Sequence, residues 1–466
     1  MSNIKLVTVA THNTPELERF KESAKFYGYD YHILGLGREW VGGEANNGRL
    51  VFPGGGMKVN LLKGFLSENI NPNDIILFTD SYDVVFNDTP EELVKRWESL
   101  GGGLIFTAEK TCWPDPKLES VYPNSTYGYK FLNSGGFIGT AGQLKSLTQT
   151  ICEDADDDQL YYTLKFLNDE GINLDYNVDI FQTLNSSFND VEVLNGKVYN
   201  NVTKTYPIVI HANGGVGPRT YLNGLYNKME RPEHTTIDWV GDERVKVQLF
   251  FTFEHSNPRI ILDAIEYLSY PKRLMDIVIY NNHGLNQWSI DNFIKNNKDE
   301  YNTIEVYSDE QDGLYDIKRH SLMDGANYEG DYVLQVDADH NIKNKNTIEI
   351  LIEENRDIIT PMINQEQTLN SNYWCNVDGN GYFAEGDDYF PIRNYEMKGT
   401  FVVPFVKGVI LFKTDYLNQE VFKGMYSDQD FKDYGDDHDV AFCSSMRESN
   451  LFMYVTNKRY FGKYFD

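Results

Sequence analysis

Ile75-Ile-Leu-Phe-Thr-Asp-Ser-Tyr-Asp83 decides how this chain is read. Four apolar residues in a row spell a buried strand, and the run ends on Asp80 with Asp83 three positions later. Side chains three apart on an extended strand point to opposite faces, so the backbone has to turn between the two carboxylates. The carboxyl end of a buried strand is where open α/β sheets bind ligands. Two carboxylates without a cysteine suit a hard divalent cation, and such a cation commonly meets phosphate oxygens. That is the arrangement expected of a site for a nucleotide sugar, although a solvated turn after a strand could carry the same letters.

Around this stretch, strand-like and helix-like segments alternate. Residues 5–10 read as a strand, and 14–27 as a helix with Thr14 as cap, Pro15 at its first position and Glu16 and Glu18 at its positive end. A strand at 30–34 leads into a glycine-rich stretch, 35–56, then a helix at 57–66, the strand before Asp80, and a helix at 90–97. Strands at 103–107 and 135–139, a helix at 159–167 and a short strand ending at His211 complete the half. The alternation predicts a doubly wound, mostly parallel sheet.

The pattern breaks at 230–242, around Pro232, and then restarts. Strands are expected at 245–253 and 276–280, a helix at 258–268, and a further buried strand, 331–339, that runs into Asp337 and Asp339. The period-two spacing of that pair places both carboxylates on one face. A helix at 347–354 and a strand at 406–412 follow, and 436–439 falls where the first half has His211. The second half shows no glycine-rich loop and no counterpart of Lys58. Two copies of one α/β fold in tandem are expected, over residues 1–235 and 236–466.

The chain has 466 residues with 41% hydrophobic and 24% charged content, which suits a globular protein of about two domains. A net charge of -28 argues against general nucleic-acid binding and adsorption to anionic membranes; solubility alone accounts for it first, although a basic acceptor polypeptide would be drawn to such a surface. No apolar run approaches the length of a spanning helix, and the start lacks the apolar core of a signal peptide. Four cysteines without CxxC spacing make no disulfide framework. Compartment stays open, and so does a homodimer.

The chain resembles the amino-terminal two-thirds of the procollagen lysyl hydroxylases. The resemblance rests on Gly35-Leu-Gly-Arg-Glu-Trp40, Gly42-Gly43, Gly54-Gly-Gly56 with Lys58, Thr79-Asp-Ser-Tyr-Asp83, Ala108-Glu109 and Cys112-Trp-Pro114. It continues through Phe131-Leu-Asn-Ser-Gly-Gly-Phe-Ile-Gly139, Asp156-Asp-Asp-Gln-Leu160, His211-Ala-Asn-Gly214, Asp337-Ala-Asp339, residues 350–356 and Asp439-Val-Ala-Phe-Cys443. It implies two tandem GT-A domains, Rossmann-like and doubly wound. The first would move glucose from UDP-glucose to galactosyl-hydroxylysine of collagen, and the second would be a non-catalytic accessory fold. The family's third domain, an Fe(II)/2-oxoglutarate hydroxylase, is not expected here. The chain ends before it, and none of the nine histidines is followed two residues later by Asp or Glu. Family members reside in the endoplasmic-reticulum lumen.

The resemblance also implies roles. Asp80, Asp83 and His211 would hold Mn²⁺, which the imidazole favours over Ca²⁺. Lys58, after three glycines that leave room for backbone amides near phosphate, would stabilise the leaving diphosphate. Val9, Thr11, Trp40 and Tyr82 would form the nucleotide pocket and its lid. Asp157 and Asp158 would face sugar, one of them orienting or deprotonating the acceptor hydroxyl. Glu109, Asn133, Asn213 and Gly214 lie on matching loops that would hold donor or acceptor sugar. Configuration would be retained, through a front-face mechanism in preference to a covalent intermediate. A UDP-galactose:hydroxylysine galactosyltransferase and a non-catalytic collagen-binding scaffold are the alternatives.

Overall fold

The computed structural model describes residues 4–42, 45–46, 49–50, 54–68, 70–232, 236–252, 258–308, 314–365, 368–378, 382–417 and 437–464. They fall into two compact units, Met1–Pro232 and Glu233–Asp466. Gly43 and Asp436 of the sequence reading lie outside the described residues, as does the end of the strand expected to reach 253. Among the described residues no helix is long and apolar enough to cross a membrane.

In the first unit, β1 (Ile4–Val9) leads into α1 (Pro15–Phe26) and β2 (Tyr31–Leu34). The Thr14 side chain accepts the amide of Leu17, and Pro15 opens the helix where a missing N–H costs nothing. After α2 (Gly56–Ser67) come β3 (Ile75–Thr79), β4 (Val84–Phe86), α3 (Pro90–Ser99), β5 (Leu104–Glu109) and β6 (Phe131–Thr140). The unit closes with α4 (Ala141–Leu147), α5 (Asp158–Leu167), β7 (Ile172–Asp175), β8 (Phe181–Thr183), β9 (Val209–His211) and α6 (Val216–Lys228).

The main sheet runs β2-β1-β3-β6-β5-β7. Alternate side chains sort to its two faces. Leu6, Ile75, Leu77, Ile105 and Ile138 pack with Leu17 and Phe20 of α1 and Leu93 and Trp97 of α3. Val7, Ile76, Phe78, Phe106 and Phe137 pack with Val59 and Leu62 of α2 and Tyr162 of α5. Burial on both faces explains why β3 reads as an unbroken apolar run. The sheet is mixed, because β6 runs antiparallel to both β3 and β5. Only a short turn of helix, Pro116–Val121, lies between β5 and β6. With no helix crossing back over the sheet, the chain re-enters from the end it left. A small sheet, β8-β9-β4, sits beyond the end of β3 and pairs His211 with Val84.

The second unit repeats the plan. It contains β10 (Val245–Phe251), α7 (Arg259–Tyr267), β11 (Met275–Asn281), α8 (Gln287–Asn297), β12 (Thr303–Tyr307), α9 (Leu314–Ala326) and β13 (Tyr332–Asp337). Then come β14 (His340–Ile342), α10 (Thr347–Glu353), β15 (Ile358–Pro361), β16 (Thr400–Val403), β17 (Val409–Lys413), α11 (His438–Glu448), β18 (Met453–Thr456) and β19 (Gly462–Tyr464). Its eight-stranded sheet runs β12-β11-β10-β13-β17-β15-β18-β16, with β17 antiparallel to β13 as β6 is to β3. The strand ends at Asp337 and a turn carries Asp339, so the two carboxylates do not share one face of a strand as their spacing suggested.

Candidate functional site

The first unit concentrates polar side chains at the carboxyl end of β3. The Asp80 amide donates to the Gly135 carbonyl at 2.9 Å, and the buried Ser81 hydroxyl donates to the Val9 carbonyl at 2.8 Å, so the chain leaves the sheet between β1 and β6. It then turns back into β4, whose first residue pairs with His211, and Ala212 donates its amide to the Asp83 carbonyl at 2.8 Å. This pairing brings one ligand atom each of Asp80, Asp83 and His211 within 4.8 Å of one another. His211 Nε2 lies 3.4 Å from Asp83 Oδ1 and 3.7 Å from Asp80 Oδ2. Burial would raise the Asp83 carboxyl, but the imidazole beside it lowers it to about 2. His211 is raised in turn: burial opposes its charge and the Asp83 carboxylate outweighs that.

The residues fit a divalent cation. The donor set is two carboxylates and an imidazole, and His211 Nδ1 is buried with no hydrogen-bond partner among the described residues. Gly135 keeps the place clear: a Cβ there would stand 2.2 Å from His211 Cε1 and 2.8 Å from Asp80 Oδ2.

Lys58, on the first turn of α2, reaches the same place. Its Nζ lies 2.9 Å from Asp80 Oδ1 and 2.8 Å from Asp158 Oδ2, and Ser134 donates to the latter oxygen at 2.9 Å. Burial would lower this lysine, but the Asp158 and Asp80 carboxylates reverse that and hold it above its ordinary value. The preceding glycines serve the chain itself. A Cβ on Gly56 would stand 1.9 Å from the Glu153 carbonyl oxygen and one on Gly55 2.2 Å from Asp158 Oδ1, so they admit the 153–158 loop.

Glu109 is a hub. Its Oε1 accepts Asn133 Nδ2 at 2.9 Å and Gln159 Nε2 at 2.8 Å, and its Oε2 accepts Asn213 Nδ2 at 2.9 Å. Asn133 Oδ1 accepts the Gly135 amide at 3.0 Å, which links the hub to the wall beside His211. Burial pushes the Glu109 carboxyl up to about 6 against the pull of these amides. Tyr82 binds the loop after β1, its hydroxyl accepting the amides of Thr11 and His12 at 3.0 Å each. Thr11 and Tyr82 thus meet, whereas Val9 packs with Val7, Val59 and Leu62 and Tyr82 packs against the cluster of Leu6, Leu17 and Phe20. Gly214 takes the left-handed φ of 103° just after Asn213. Trp40 is exposed and apart from these networks. Asp157 is the N-cap of α5, accepting the Leu160 amide at 2.5 Å, and burial raises its carboxyl to about 6. Ser134 and Gln159 were not singled out from sequence; neither has a local signal, since their partners lie 24 and 50 residues away.

The second unit corrects two expectations. Lys58 has a counterpart: Lys318 of α9, the helix before the equivalent strand, lies 2.8 Å from Asp337 Oδ2 and 3.1 Å from Asp439 Oδ1. Asp439, in the first turn of α11, therefore matches Asp158 at the start of α5, and not His211. His211 is matched by Tyr464, since β19 pairs with β14 as β9 pairs with β4. Ile359 and Ile105 occupy the same register against the antiparallel strand.

Residues 1–236 match the family described as the PLOD GT domain, and residues 288–465 match glycosyltransferase family 25, N-terminal domain. Procollagen-lysine,2-oxoglutarate 5-dioxygenase 1 of Gallus gallus is 34% identical over 490 residues, covering 99% of this chain and 66% of the relative. The corresponding Drosophila melanogaster protein is 34% identical, covering 98% and 65%, and dioxygenase 2 of Homo sapiens is 33% identical, covering 98% and 64%. The chain thus spans just under two-thirds of the length of these relatives. Among solved structures, a Pyrobaculum calidifontis mannosyltransferase in complex with GDP-Man and Mn²⁺ is 13% identical, with a TM-score of 0.30 over 42% of this chain and 50% of that one. GalNAc-T7 with UDP, GalNAc and Mn²⁺ is 10% identical, with a TM-score of 0.33 over 47% and 42%.

Proposed function

Because the chain belongs to the procollagen-lysine hydroxylase family through its glycosyltransferase domain, we propose that residues 1–235 form a metal-dependent, UDP-sugar-using hexosyltransferase. On this reading it moves glucose from UDP-glucose to galactosyl-hydroxylysine in collagen-like chains, with retention. Residues 236–466 form an accessory unit of the same fold. The observation that carries the reading is the division of Asp80. Lys58 holds one of its oxygens at 2.9 Å, while the other faces His211 at 3.7 Å.

That division supports diphosphate departure, because it sets an ammonium and a cation-holding face side by side where negative charge would grow. Bound at Asp80, Asp83 and His211, Mn²⁺ would supply Lewis-acid stabilisation of that charge. Lys58 stays protonated between its carboxylates and is ready to meet the phosphate. Asp158, anchored by Lys58 and Ser134, accepts sugar hydroxyls, and Asp157 lies one residue away at the helix start. Glu109 acts through others, fixing the amides of Asn133 and Asn213 that would meet sugar. Val9, Thr11 and Tyr82 flank uridine, with Trp40 as the lid and Gly214 closing the loop after Asn213.

The donor and acceptor rest on kinship. UDP release measured with UDP-glucose and UDP-galactose, with and without galactosyl-hydroxylysine peptide, before and after chelation, tests both. Turnover of UDP-glucose that needs the galactosylated acceptor and Mn²⁺ is expected. Preference for UDP-galactose with bare hydroxylysine would make the chain a galactosyltransferase, and no turnover of either donor would leave a scaffold.

A further inference from the structure

The carboxy-terminal unit carries a cluster that the transfer chemistry does not use. Asp337, Asp339 and His340 each offer a ligand atom, all within 4.8 Å of one another. Asp337 ends β13 as Asp80 follows β3, and His340 begins β14 directly after Asp339. Lys318 and the Asp337 amide hold the aspartate: the lysine takes Oδ2 at 2.8 Å, and the amide donates to the Gly408 carbonyl at 2.8 Å. Asp337 Oδ1 is left buried without a hydrogen-bond partner among the described residues. His340 is 2% exposed, its Nδ1 lies 2.5 Å from Asp339 Oδ1, and its Nε2 is also buried and unpartnered.

Buried polar atoms without partners are costly and uncommon, and an anionic oxygen beside an imidazole is a donor set in search of a cation. The wall repeats that of the first unit. A Cβ on Gly408 would stand 2.0 Å from His340 Nε2, as one on Gly135 would meet His211. The histidine, however, comes from a different strand: β14 supplies it here, and Tyr464 on β19 takes the position that His211 has on β9. The two units therefore carry the same types of donor with the histidine on different strands.

We propose that Asp337, Asp339 and His340 form a second divalent-cation site, of the Mn²⁺ class that two carboxylates and an imidazole select. The proposal stands on residues of the carboxy-terminal unit alone and is independent of the transferase reading. Its test is a count of bound metal. The chelated full chain is titrated with MnCl₂, and free Mn²⁺ is read by electron paramagnetic resonance. Wild type should bind two equivalents, Asp339→Asn one, and Asp83→Asn the other one. Asp339 is the outermost of the three, with its side chain 42% exposed, so its variant should keep the fold, as circular dichroism would check. His340→Gln should lose the same equivalent. Wild type that binds a single equivalent removed by Asp83→Asn, or an Asp339→Asn variant that binds as many as wild type, overturns the site.

Discussion

Gly135→Ala is the sharpest perturbation of the candidate active site, because it adds one methyl group and removes no ligand. Gly135 is not among the residues of positive φ, so alanine brings no backbone strain. The new Cβ would stand 2.2 Å from His211 Cε1, about 1.2 Å inside the 3.4 Å at which ordinary contact begins, and 2.8 Å from Asp80 Oδ2. Neither neighbour is the end of a flexible chain: His211 is buried and Asp80 is tied to Lys58. The imidazole or the β6 backbone has to give by about an ångström. Overpacking of this kind costs about 1–3 kcal/mol of stability. A displacement of about 1 Å at a reacting centre costs on the order of a hundredfold in rate. We expect kcat for sugar transfer to fall about a hundredfold, with weaker Mn²⁺ binding and a cooperative melt. Gly224→Ala is the control, since nothing lies within 4 Å of its added Cβ and it sits inside α6. There alanine should be neutral or stabilise by up to about 1 kcal/mol. A Gly135→Ala enzyme with wild-type rate and Mn²⁺ affinity would refute the placement of the metal site.

Asp157 and Asp158 should separate on replacement by asparagine. Asp157→Asn keeps an equally good cap, so its effect on melting should stay within a few tenths of a kcal/mol, and a tenfold or larger fall in transfer rate would mark a role in acceptor activation. Asp158→Asn strips Lys58 of one carboxylate and should reduce transfer more than Asp157→Asn does; the reverse order would count against Asp158 as the sugar-facing residue. Lys58→Met leaves Asp80 with His211 and Asp158 with Ser134 alone, so unfolding by urea should show a loss of up to about 3–5 kcal/mol as well as lost turnover; unchanged stability would mean the pair is solvated. Glu109 has a folded pKa raised to about 6 from 4.5, so the stability it contributes is complete below pH 4.5 and lost as pH rises through 6. Melts across that window should therefore fall less steeply with pH in Glu109→Gln than in wild type, and parallel slopes would contradict the shift.

The two units compare as one scaffold with two histories. Each runs a buried strand into an aspartate held by a lysine from the preceding helix, and that lysine also binds a second aspartate, from α5 in the first unit and α11 in the second. They part at the histidine, which β9 supplies in the first unit and β14 in the second, where Tyr464 of β19 pairs with it.

The sequence by itself determined what depends on neighbours along the chain. The apolar run into Asp80, the Thr14 cap with Pro15, and the restart of the strand-helix alternation after Pro232 each report burial or hydrogen bonding within one element. Periodicity and capping chemistry express that locally. The run into Asp337 was legible for the same reason, but the turn before Asp339 was not, because its spacing also fits a strand. Tertiary structure alone decided which side chains meet. Lys58 and Asp158 are 100 residues apart, Lys318 and Asp439 are 121, and neither pair leaves a trace in spacing. Lys318 has no glycine-rich loop before it to mark it, whereas Gly55 before Lys58 leaves room for both Asp158 and the lysine side chain. Asp439 was set against His211 for want of the sheet order that matches it to Asp158. Strand order and direction fix such partners, and the antiparallel β6 and β17, which no local pattern distinguishes from parallel strands, carry the register that brings them together.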